Sequence, residues 1–576
     1  MVNRELAKIF SEMAIFLRMK EVPFKPQAYE RAVLGLETLN KEASEIYQQK
    51  GIEGLKEIPG IGENLADKIK EYLETGKIRS YQKLKQEMPI NLEELTAVEG
   101  IGPKAIKLLW SKLKIKNLKD LEKAARAKKL RLLPGFGEKS EKNILTGIGF
   151  LKKSQGRFLL SEILPETQKI VSNLEKLKEV EEISLAGSLR RGKDTIGDAD
   201  ILVISQDPGK VIKSFISSPG ILKVWGQGLK KASIRTKQGF DIDLRIVPRK
   251  SYGSALQYFT GSKEHNIFLR KMAMGKGLKL NEYGVFHGKK MIAGTTESGI
   301  YQAINLPFIE PELRENRGEI EAARAKRLPR LITLKNIFGD LHCHSSWNGG
   351  QNTISEMAQT ARARGYRYLG IADHTKFLRI ENGLDEKQLL NQRREIDKLN
   401  EKFIKQGIDL KILQGCEANI LENGSIDINN QALEGLDFVI AGIHSQMKMT
   451  KAKMTARIIR AMENPNVDII SHPTGRILKK RDEFQIDFER VLKVAKETGT
   501  ILEISSSPSR LDLKDLNIKL AKEAGVKMVI NTDSHSASQL ELMDYGVIQA
   551  RRGWAEKKDI INCWSLEKLL TFLKTN

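Results

Sequence analysis

The sequence predicts a multidomain protein with small all-helical units first, an α+β domain next, and a βα barrel at the end. Three observations predict this order. A short glycine-containing segment recurs three times before residue 150, short apolar runs replace helical patterns after residue 180, and apolar runs alternate with helical patterns from residue 338 onward. With 576 residues, 40% hydrophobic and 29% charged, the chain is long enough for several packed cores.

The composition excludes several classes of protein. Sixteen prolines and no biased tract exclude a wholly disordered chain, and three scattered cysteines, Cys343, Cys416 and Cys563, are too few for a disulfide framework. No apolar run approaches the roughly 18 residues that a membrane span needs. Glu5 stands where a signal peptide would begin its apolar stretch. We therefore expect a cytoplasmic protein without membrane attachment, and we expect it to be a monomer.

The net charge of +23 is concentrated in the middle of the chain. Residues 1–100 hold 15 Lys and Arg against 17 Asp and Glu, residues 101–300 hold 39 against 19, and residues 301–576 hold 42 against 37. A basic excess confined to one region favours binding of a polyanion there, above all nucleic acid. Solvated surface lysines are the alternative explanation.

The repeated segments lie at residues 58–62, 98–102 and 133–137, and a helical pattern follows each. Their glycines are Gly60, Gly62, Gly100, Gly102, Gly135 and Gly137. Glycine tolerates positive φ, which lets the N–H groups of the following helix point at a DNA phosphate. One such hairpin is equally typical of an ordinary helix end, but three of them, two followed by lysines, predict helix-hairpin-helix DNA binding.

The first candidate chemical centre lies at the start of the α+β region. Residues 187–192 follow a predicted strand and combine glycines, Ser188 and two arginines, a composition that suits a phosphate. Asp198 and Asp200 then share one face of the next strand, and Asp243 lies on another strand. An isolated Asp-x-Asp is usually a turn, but three carboxylates on adjacent strands can hold two divalent cations about 4 Å apart for nucleotidyl transfer.

Residues 1–305 strongly resemble the family X DNA polymerases of the nucleotidyltransferase superfamily. The resemblance rests on Gly187-Ser188, on the motif Gly197-Asp-Ala-Asp200, on Asp243, and on a long match at residues 255–262. It implies template-directed DNA synthesis from dNTPs on a gapped or primed duplex, by an α+β nucleotidyltransferase palm with fingers and a thumb.

The resemblance also implies roles for single residues. Asp198, Asp200 and Asp243 would bind Mg²⁺ or Mn²⁺, with Asp243 closest to the primer 3′ hydroxyl. The residues implied to contact the incoming nucleotide are Gly187, Ser188, Arg191, Tyr258, Phe259, Gly261 and Asn266. Tyr258 and Phe259 would lie against its sugar and reject ribose. Asn266 and Arg270 match positions that touch the nucleotide and the template minor groove.

Lys68 matches the lysine with which some family members form a Schiff base to excise a 5′ deoxyribose phosphate. Lys25 and Tyr29 match its neighbours, but Asn64 replaces a basic residue. A lysine that only contacts a DNA phosphate is an equally open interpretation of Lys68.

The second candidate centre lies in the last 240 residues, where six of the eight histidines occur, each beside a predicted strand. They are His342, His344, His374, His444, His472 and His535. Glu417 and Asp533 add carboxylates at the ends of other predicted strands. Mixed imidazole and carboxylate ligands are typical of Mn²⁺, Zn²⁺ or Fe²⁺, so the sequence predicts a metal site.

These motifs resemble the PHP (polymerase and histidinol phosphatase) domain, a distorted βα barrel whose trinuclear metal site hydrolyses phosphoesters. The implied ligands are His342, His344, Glu417 and Asp533 for one ion, Glu417, His444 and His472 for a second, and His374 and His535 for a third. The family usually supplies a ninth ligand, Asp or His, where this chain has Gly349. Asn348 or water would have to replace it, so the resemblance implies weakened hydrolysis.

The two resemblances together divide the chain. The expected parts are an N-terminal helix-hairpin-helix domain at 1–85, helix-hairpin-helix fingers at 86–152, a palm at 153–250, a thumb at 251–310, a linker with part of a helix at 311–336, and a PHP barrel at 337–576. They imply a polymerase that fills short gaps during base excision repair, with a 3′–5′ exonuclease and a 5′-deoxyribose-phosphate or AP lyase.

Two other functions stay open at this point. A template-independent nucleotidyltransferase would share the carboxylates but would not need three hairpins or the Tyr258-Phe259 segment. A DNA-tethered PHP phosphoesterase with a degenerate polymerase half is the other, and the intact Asp198, Asp200 and Asp243 argue against it.

Overall fold

The computed structural model describes residues 2–37, 39, 41–96, 98, 101–153, 156–378 and 382–575. Helices fill the N-terminal part, a mixed sheet follows, and parallel strands alternate with helices in the C-terminal part. The predicted fold class is confirmed. None of the described helices combines the length and apolar character that a membrane crossing requires.

The N-terminal part consists of amphipathic helices around one shared core. Its helices are α1 (Val2–Met19), α2 (Lys25–Glu37), α3 (Ala43–Lys56), α4 (Glu63–Thr75), α5 (Arg79–Glu87), α6 (Leu92–Thr96), α7 (Pro103–Leu113), α8 (Leu118–Arg126) and α9 (Glu138–Lys153). Apolar residues from both predicted units, including Phe10, Ile69 and Leu109, join a single cluster. The two helix-hairpin-helix units therefore pack as neighbours.

The palm is a five-stranded sheet with α10 and α12 packed on one face. Its elements are β1 (Phe158–Leu159), α10 (Leu160–Glu175), β2 (Val180–Ala186), α11 (Gly187–Arg190), β3 (Thr195–Ile196), β4 (Asp198–Ser205), α12 (Pro208–Ile216), β5 (Ile221–Gln227), β6 (Lys231–Thr236) and β7 (Asp241–Ile246). The strand order is β2-β4-β7-β6-β5. Burial alternates along β6 and β7, so one face packs on the core and the other faces outward.

The thumb combines three helices with a small antiparallel sheet. Its elements are α13 (Tyr252–Thr260), α14 (Lys263–Met274), β8 (Leu278–Asn281), β9 (Gly284–His287), β10 (Lys290–Ala293) and α15 (Glu297–Ala303). The segment 311–336, predicted as a linker with part of a helix, contains α16 (Glu319–Arg324). Leu313, Ile320 and Ala323 are buried in the thumb core, and the Arg314 guanidinium pairs with Glu297 at 2.5 Å. The segment therefore packs as an extension of the thumb.

The C-terminal part is a distorted barrel of parallel strands. Its elements are β11 (Gly339–Cys343), α17 (Ile354–Ala363), β12 (Tyr368–Ile371), α18 (Glu386–Lys405), β13 (Lys411–Gln414), β14 (Glu417–Asn419), α19 (Asn430–Glu434), β15 (Ile440–Gly442), α20 (Lys451–Met462), β16 (Ile469–Ile470), α21 (Phe488–Thr498), β17 (Ile501–Ser505), α22 (Asp515–Ala524), β18 (Met528–Asn531), α23 (Met543–Arg552) and α24 (Leu566–Thr575). Two sheets, β11-β12-β13 and β14 through β18, are joined by single bridges. One links His374 to Glu417, the other Cys343 to Ser534.

The barrel makes a buried polar contact with the palm and with the segment 311–336. Arg552 of α23 donates to the backbone oxygen of Arg191 at 2.7 Å and pairs with Glu315 at 3.1 Å and with Asp515. All of these groups are largely buried. The barrel therefore supports the loop that follows α11.

Candidate active sites

Carboxylates meet on the outward face of the palm sheet. β4 and β7 are parallel neighbours, and their register places Asp200 opposite Asp243 and Asp198 opposite Asp241. The intervening residue Ala199 is buried in the palm core, so the carboxylates lie on the other face. The structure therefore brings Asp198, Asp200 and Asp243 together.

The charges of this cluster are incompletely balanced by protein groups. Burial, together with the neighbouring carboxylates of Asp198 and Asp243, raises the pKa of Asp200 to about 6. Ser233 donates a hydrogen bond to Asp243, and Lys231 Nζ lies 3.5 Å from Asp243 Oδ2. A crowded set of oxygen ligands with surplus negative charge fits a hard divalent cation.

The loop beside the carboxylates needs glycine at its start. Gly187 has a φ of +63°, and a Cβ there would collide with the Asp200 carboxylate. Ser188 follows in the one-turn helix α11. Arg191 is held in place, because its Nε donates to Glu315 Oε1 at 3.0 Å and its Nη1 to the Thr260 carbonyl.

The other predicted nucleotide contacts lie in the thumb. A Cβ at Gly261 would come within 3.2 Å of Arg191 Nη1, so Gly261 lies against the same guanidinium. Asn266 donates to the Tyr258 carbonyl at 2.7 Å, and the Phe259 ring lies 4.6 Å from the Arg245 guanidinium carbon. Gly261 and Phe259 therefore contact the palm through Arg191 and Arg245.

The hairpin glycines begin helices whose first turns are accessible. Gly62 and Gly102 precede α4 and α7, and a Cβ at either glycine would meet no atom within 4 Å. Gly135 and Gly137 are open in the same way, whereas Gly60 packs against the Arg31 backbone. Gly100 lies outside the described residues. The exposed backbone suits a phosphate.

Lys68 lies on α4 behind the first hairpin. Its ammonium group donates to the Asn64 carbonyl at 3.0 Å. Burial lowers the pKa of Lys68, and the nearby charge of Lys25 lowers it further. Tyr29 is buried and packs against Phe10. The environment makes Lys68 easier to deprotonate than an ordinary lysine.

The second centre lies where the barrel strands end. Its side chains come from the ends of six strands: His342 from β11 and His344 just after it, His374 after β12, Glu417 from β14, His444 after β15, His472 after β16, and Asp533 and His535 after β18. Three groups have ligand atoms within 4.8 Å of one another: His342, His344, Glu417 and Asp533; His374, Glu417 and His444; and His344, His374 and His535. The predicted division differed, because it put His374 only with His535 and gave His472 to Glu417 and His444.

Glu417 is the carboxylate that two of these groups share. Its Oε2 lies 2.9 Å from His374 Nδ1 and 3.3 Å from His342 Nε2, and its Oε1 lies 3.2 Å from His444 Nε2. His472 is farther, at 3.8 Å from Glu417 Oε1. His472 is closer to Asp533, at 3.4 Å.

Several buried atoms in the cluster have no hydrogen-bond partner in the described structure. They are His342 Nε2, His344 Nδ1, His374 Nδ1, His472 Nδ1 and Glu417 Oε2. Buried polar atoms are almost always hydrogen-bonded, and metal coordination would satisfy most of these. The residues present therefore fit bound metal ions.

The charges of the cluster support the same conclusion. Burial disfavours protonated His342, but the carboxylates of Glu417, Glu503 and Asp533 outweigh burial and raise its pKa well above the ordinary value. Burial opposes ionisation of Glu417, yet the surrounding imidazoles lower its pKa well below the ordinary value. The pocket is thus built to hold positive charge between its carboxylates.

Four family models match parts of the sequence. It matches the helix-hairpin-helix domain over residues 1–78, the SAM-like helix-hairpin-helix tandem over 92–148, the DNA polymerase beta thumb over 255–315, and the PHP domain over 340–507. It is 35% identical over 581 residues to the DNA polymerase/3′-5′ exonuclease PolX of Bacillus subtilis strain 168, with both chains covered in full. The chain belongs to the PolX family.

Two shorter proteins are similar to only part of this chain. A probable phosphatase of Caldicellulosiruptor saccharolyticus is 29% identical over 245 residues, which is 41% of this chain and 95% of that protein. A probable phosphatase of Thermoanaerobacter sp. strain X514 is 34% identical over 207 residues, 34% of this chain and 78% of that protein. The predicted resemblance to family X polymerases with a PHP domain is confirmed by the full-length match.

The residues that position the barrel histidines were not predicted from the sequence. Glu503 of β17 lies 2.7 Å from His342 Nδ1 and 3.2 Å from His472 Nδ1, and it accepts from Asn531 at 3.0 Å. Asn419 Oδ1 lies 2.8 Å from His444 Nδ1. A carboxylate inside the apolar run 501–504 was the available signal for Glu503.

The position of the ninth PHP ligand is a turn in this PolX chain. Gly349 has a φ of +64°, which favours glycine. Asn348 is buried, and its Oδ1 accepts a hydrogen bond from the His374 backbone N–H at 3.2 Å. Asn348 therefore fixes the backbone of a metal-site histidine.

Proposed function

We propose that this protein is a DNA polymerase and 3′–5′ exonuclease that fills short gaps during DNA repair. The observation that carries the proposal is the presence of two separate centres on one chain, a carboxylate cluster beside a phosphate-type loop and a histidine cluster at the barrel strand ends. The relative that matches the whole chain is named for both activities.

The polymerase centre would hold Mg²⁺ or Mn²⁺ between Asp198, Asp200 and Asp243. Ions bound there supply activation of the primer 3′ hydroxyl and charge to stabilise the leaving pyrophosphate. Lys231 and Ser233 hold Asp243 in position. Ser188 and Arg191, with the N–H groups of residues 187–192, would receive the dNTP phosphates, and Glu315 keeps Arg191 oriented toward Thr260 until they arrive.

The exonuclease centre would hold up to three ions, Mn²⁺, Zn²⁺ or Fe²⁺, among the six histidines, Glu417 and Asp533. Such ions supply an activated water and stabilise the charge on the phosphodiester. Glu503 orients His342, and Asn419 orients His444, by a hydrogen bond to the ring nitrogen that faces away from the cluster. Glu503 also accepts from the His472 backbone N–H at 3.1 Å and lies 3.2 Å from His472 Nδ1. The centre would remove unpaired or blocked 3′ ends.

DNA binding would begin at the helix-hairpin-helix units. Their accessible helix N-termini at Gly62, Gly102 and Gly137 suit phosphates on both sides of a gap. The basic residues 101–300 would hold the duplex between them. We propose a monomer that works in the cytoplasm, where its three buried, unpaired cysteines stay reduced.

Primer extension on gapped DNA tests this function. The wild type should extend the primer by template-directed addition, and should shorten a 3′ tail when dNTPs are withheld. Asp198→Ala should lose extension only, and His444→Ala should lose shortening only. Extension without a template would favour a template-independent transferase, and tail removal without any extension would favour a DNA-tethered phosphoesterase.

We also propose lyase activity at Lys68, because burial and Lys25 lower the pKa of its amine and a Schiff base needs the neutral amine. Borohydride should trap the protein on DNA with a 5′ deoxyribose phosphate. Lys68→Ala should lose the adduct, whereas Lys70→Ala on the same helix should keep it. Trapping should saturate at a lower pH than an ordinary lysine allows. If Lys68→Ala is trapped as efficiently as the wild type, Lys68 does not form the Schiff base and only contacts a DNA phosphate.

A further inference from the structure

The edge strand of the palm sheet carries exposed apolar side chains on both of its faces, and the proposed function does not use them. Within eight residues of β5 and the turn after it, Leu222 is 64% exposed, Val224 39%, Trp225 49% and Leu229 85%. Large apolar side chains at such density on a surface usually mark a binding site.

Trp225 lies on the same face of the sheet as the catalytic carboxylates. Its indole N–H donates to Asp241 Oδ1 at 2.8 Å, and Asp241 is opposite Asp198 in the sheet register. The neighbouring Lys223 is opposite Arg235, which forms two 2.8 Å hydrogen bonds with Asp241. The indole N–H thus reaches across to β7, where Asp241 and Asp243 are two residues apart, so the indole lies about 7 Å along that strand from Asp243.

Positive charge surrounds the indole. Lys223 Nζ lies 4.1 Å from the ring centroid of Trp225, and the Arg235 guanidinium carbon lies 5.2 Å from it. Between Asp207 and Asp241 the sequence has six lysines, one arginine and no acidic residue. Asp241, which accepts the indole hydrogen bond at the edge of the ring, is paired with Arg235. The surface therefore suits a polyanion with flat apolar groups.

The strand itself is poorly suited to pair with another protein's strand. Its pairing with β6 is irregular between Ile221 and Lys223 and again between Val224 and Gly226. Such irregularities twist an edge and interrupt its hydrogen-bond pattern. Bases of a duplex already stack on each other, whereas an unpaired base offers a free face to an aromatic ring.

We propose that Lys223, Trp225 and Arg235 form a binding site for the unpaired 3′ end of a primer. A terminal base would stack on Trp225, and the two cations would contact its phosphates. The distance of about 7 Å from Asp243 corresponds to about two nucleotides at a rise of about 3.4 Å. This inference rests on the polymerase function proposed above and adds a site that holds a frayed end outside the polymerisation centre.

Affinity for two gapped DNAs of equal length tests the site, one fully paired and one with three mismatched nucleotides at the primer 3′ end. Trp225→Ala should weaken binding of the mismatched DNA about tenfold and leave binding of the paired DNA unchanged. Trp225→Phe, which keeps an aromatic face, should retain most of the affinity. Val224→Ala is the matched control, because Val224 pairs with the buried Ile234 and therefore faces away from the carboxylates.

Fluorescence gives an independent readout. The difference spectrum between wild type and Trp225→Phe isolates Trp225 from the other four tryptophans, and the mismatched DNA should quench it more than the paired DNA. Unchanged affinity of Trp225→Ala for the mismatched DNA, with normal extension of paired primers, would overturn this inference alone. Equal weakening for both DNAs would show a duplex contact and would also overturn it. Failure of the wild type to extend paired primers would instead contradict the proposed function.

Discussion

The two centres of this chain solve the problem of holding metal ions in opposite ways. The palm centre is an outward-facing set of three carboxylates, of which Asp198 is exposed, and burial with like charge raises the pKa of Asp200 to about 6. The barrel centre is buried, combines six imidazoles with Glu417 and Asp533, and fixes them through further side chains such as Glu503.

This difference in ligands and burial indicates at which stage of the reaction each centre binds its metal ions. The palm carboxylates need additional ligands and charge, which the triphosphate of a bound dNTP supplies, so metal and nucleotide should bind together. The barrel ligands are assembled before any substrate arrives, so its ions should stay bound in the free protein. We therefore predict that the palm exchanges its metal ions with solvent, whereas the barrel keeps its ions bound in the free protein.

The largest effect should come from removing the shared carboxylate of each centre. Glu417→Gln should lower the exonuclease rate at least about a thousandfold and leave primer extension intact, because Glu417 belongs to two of the three ligand groups. Asp200→Asn should do the reverse. The rates of primer extension and of 3′ degradation on one DNA measure the effects of both substitutions. A Glu417→Gln protein that loses both activities would contradict the idea that the two centres act separately.

Arg552→Gln tests whether the two centres are independent. The change leaves Asp515 and Glu315 with one buried cation fewer, which should cost about 3 kcal/mol of the free energy of unfolding. Loss of support behind Arg191 should raise the KM for dNTPs severalfold and spare the exonuclease. Denaturant unfolding and both activities are measured together, with Arg490→Gln on the barrel surface as the control. An unchanged KM would show that the palm does not need the barrel.

Glu503→Gln tests whether the barrel ligands are held in place before substrate binds. Replacing the carboxylate that orients His342 and His472 should weaken metal affinity about 10- to 100-fold, while polymerisation stays normal. Titration of exonuclease rate with Mn²⁺ measures the change. Glu497→Gln, an exposed neighbour on α21, is the control. Saturating Mn²⁺ should restore the Glu503→Gln rate, and a rate that stays low at every concentration would argue for a direct catalytic role.

The smallest effect concerns Gly349. A carboxylate there would supply the missing ninth ligand, so Gly349→Asp should lower the Mn²⁺ requirement a fewfold. Gly349→Asn is the matched control, because it has the same strain at positive φ but no charge. If Gly349→Asp needs less Mn²⁺ than Gly349→Asn, the result supports the idea that the wild-type site lacks its ninth ligand. Strong wild-type activity at low metal, reduced equally by both changes, would show that the site never needed this ligand.

The placement of the two clusters follows from patterns that a sequence displays. Alternation along β4 and β7 puts Asp198, Asp200 and Asp243 on one face, and parallel barrel strands bring their C-terminal ends together. These are properties of single elements and of their order, so the sequence alone predicts them.

Other features depend on which elements meet. β5 carries its apolar residues outward on a sheet edge, so its pattern does not reveal a strand. Glu503 becomes informative only when His342 and His472, from two other strands, face it. The charged segment 311–336 resembles a linker until the thumb and the barrel bury residues such as Arg314 and Glu319.

The metal content of the purified protein tests the central claim most directly. After desalting without added metal, elemental analysis of the free protein should find bound divalent ions, reduced in Glu417→Gln and unchanged in Asp200→Asn. Adding a dNTP and Mg²⁺ should then increase bound metal in the wild type but not in Asp200→Asn. A free wild type that retains no ions, or an equal loss of retained ions in the two variants, would contradict the account.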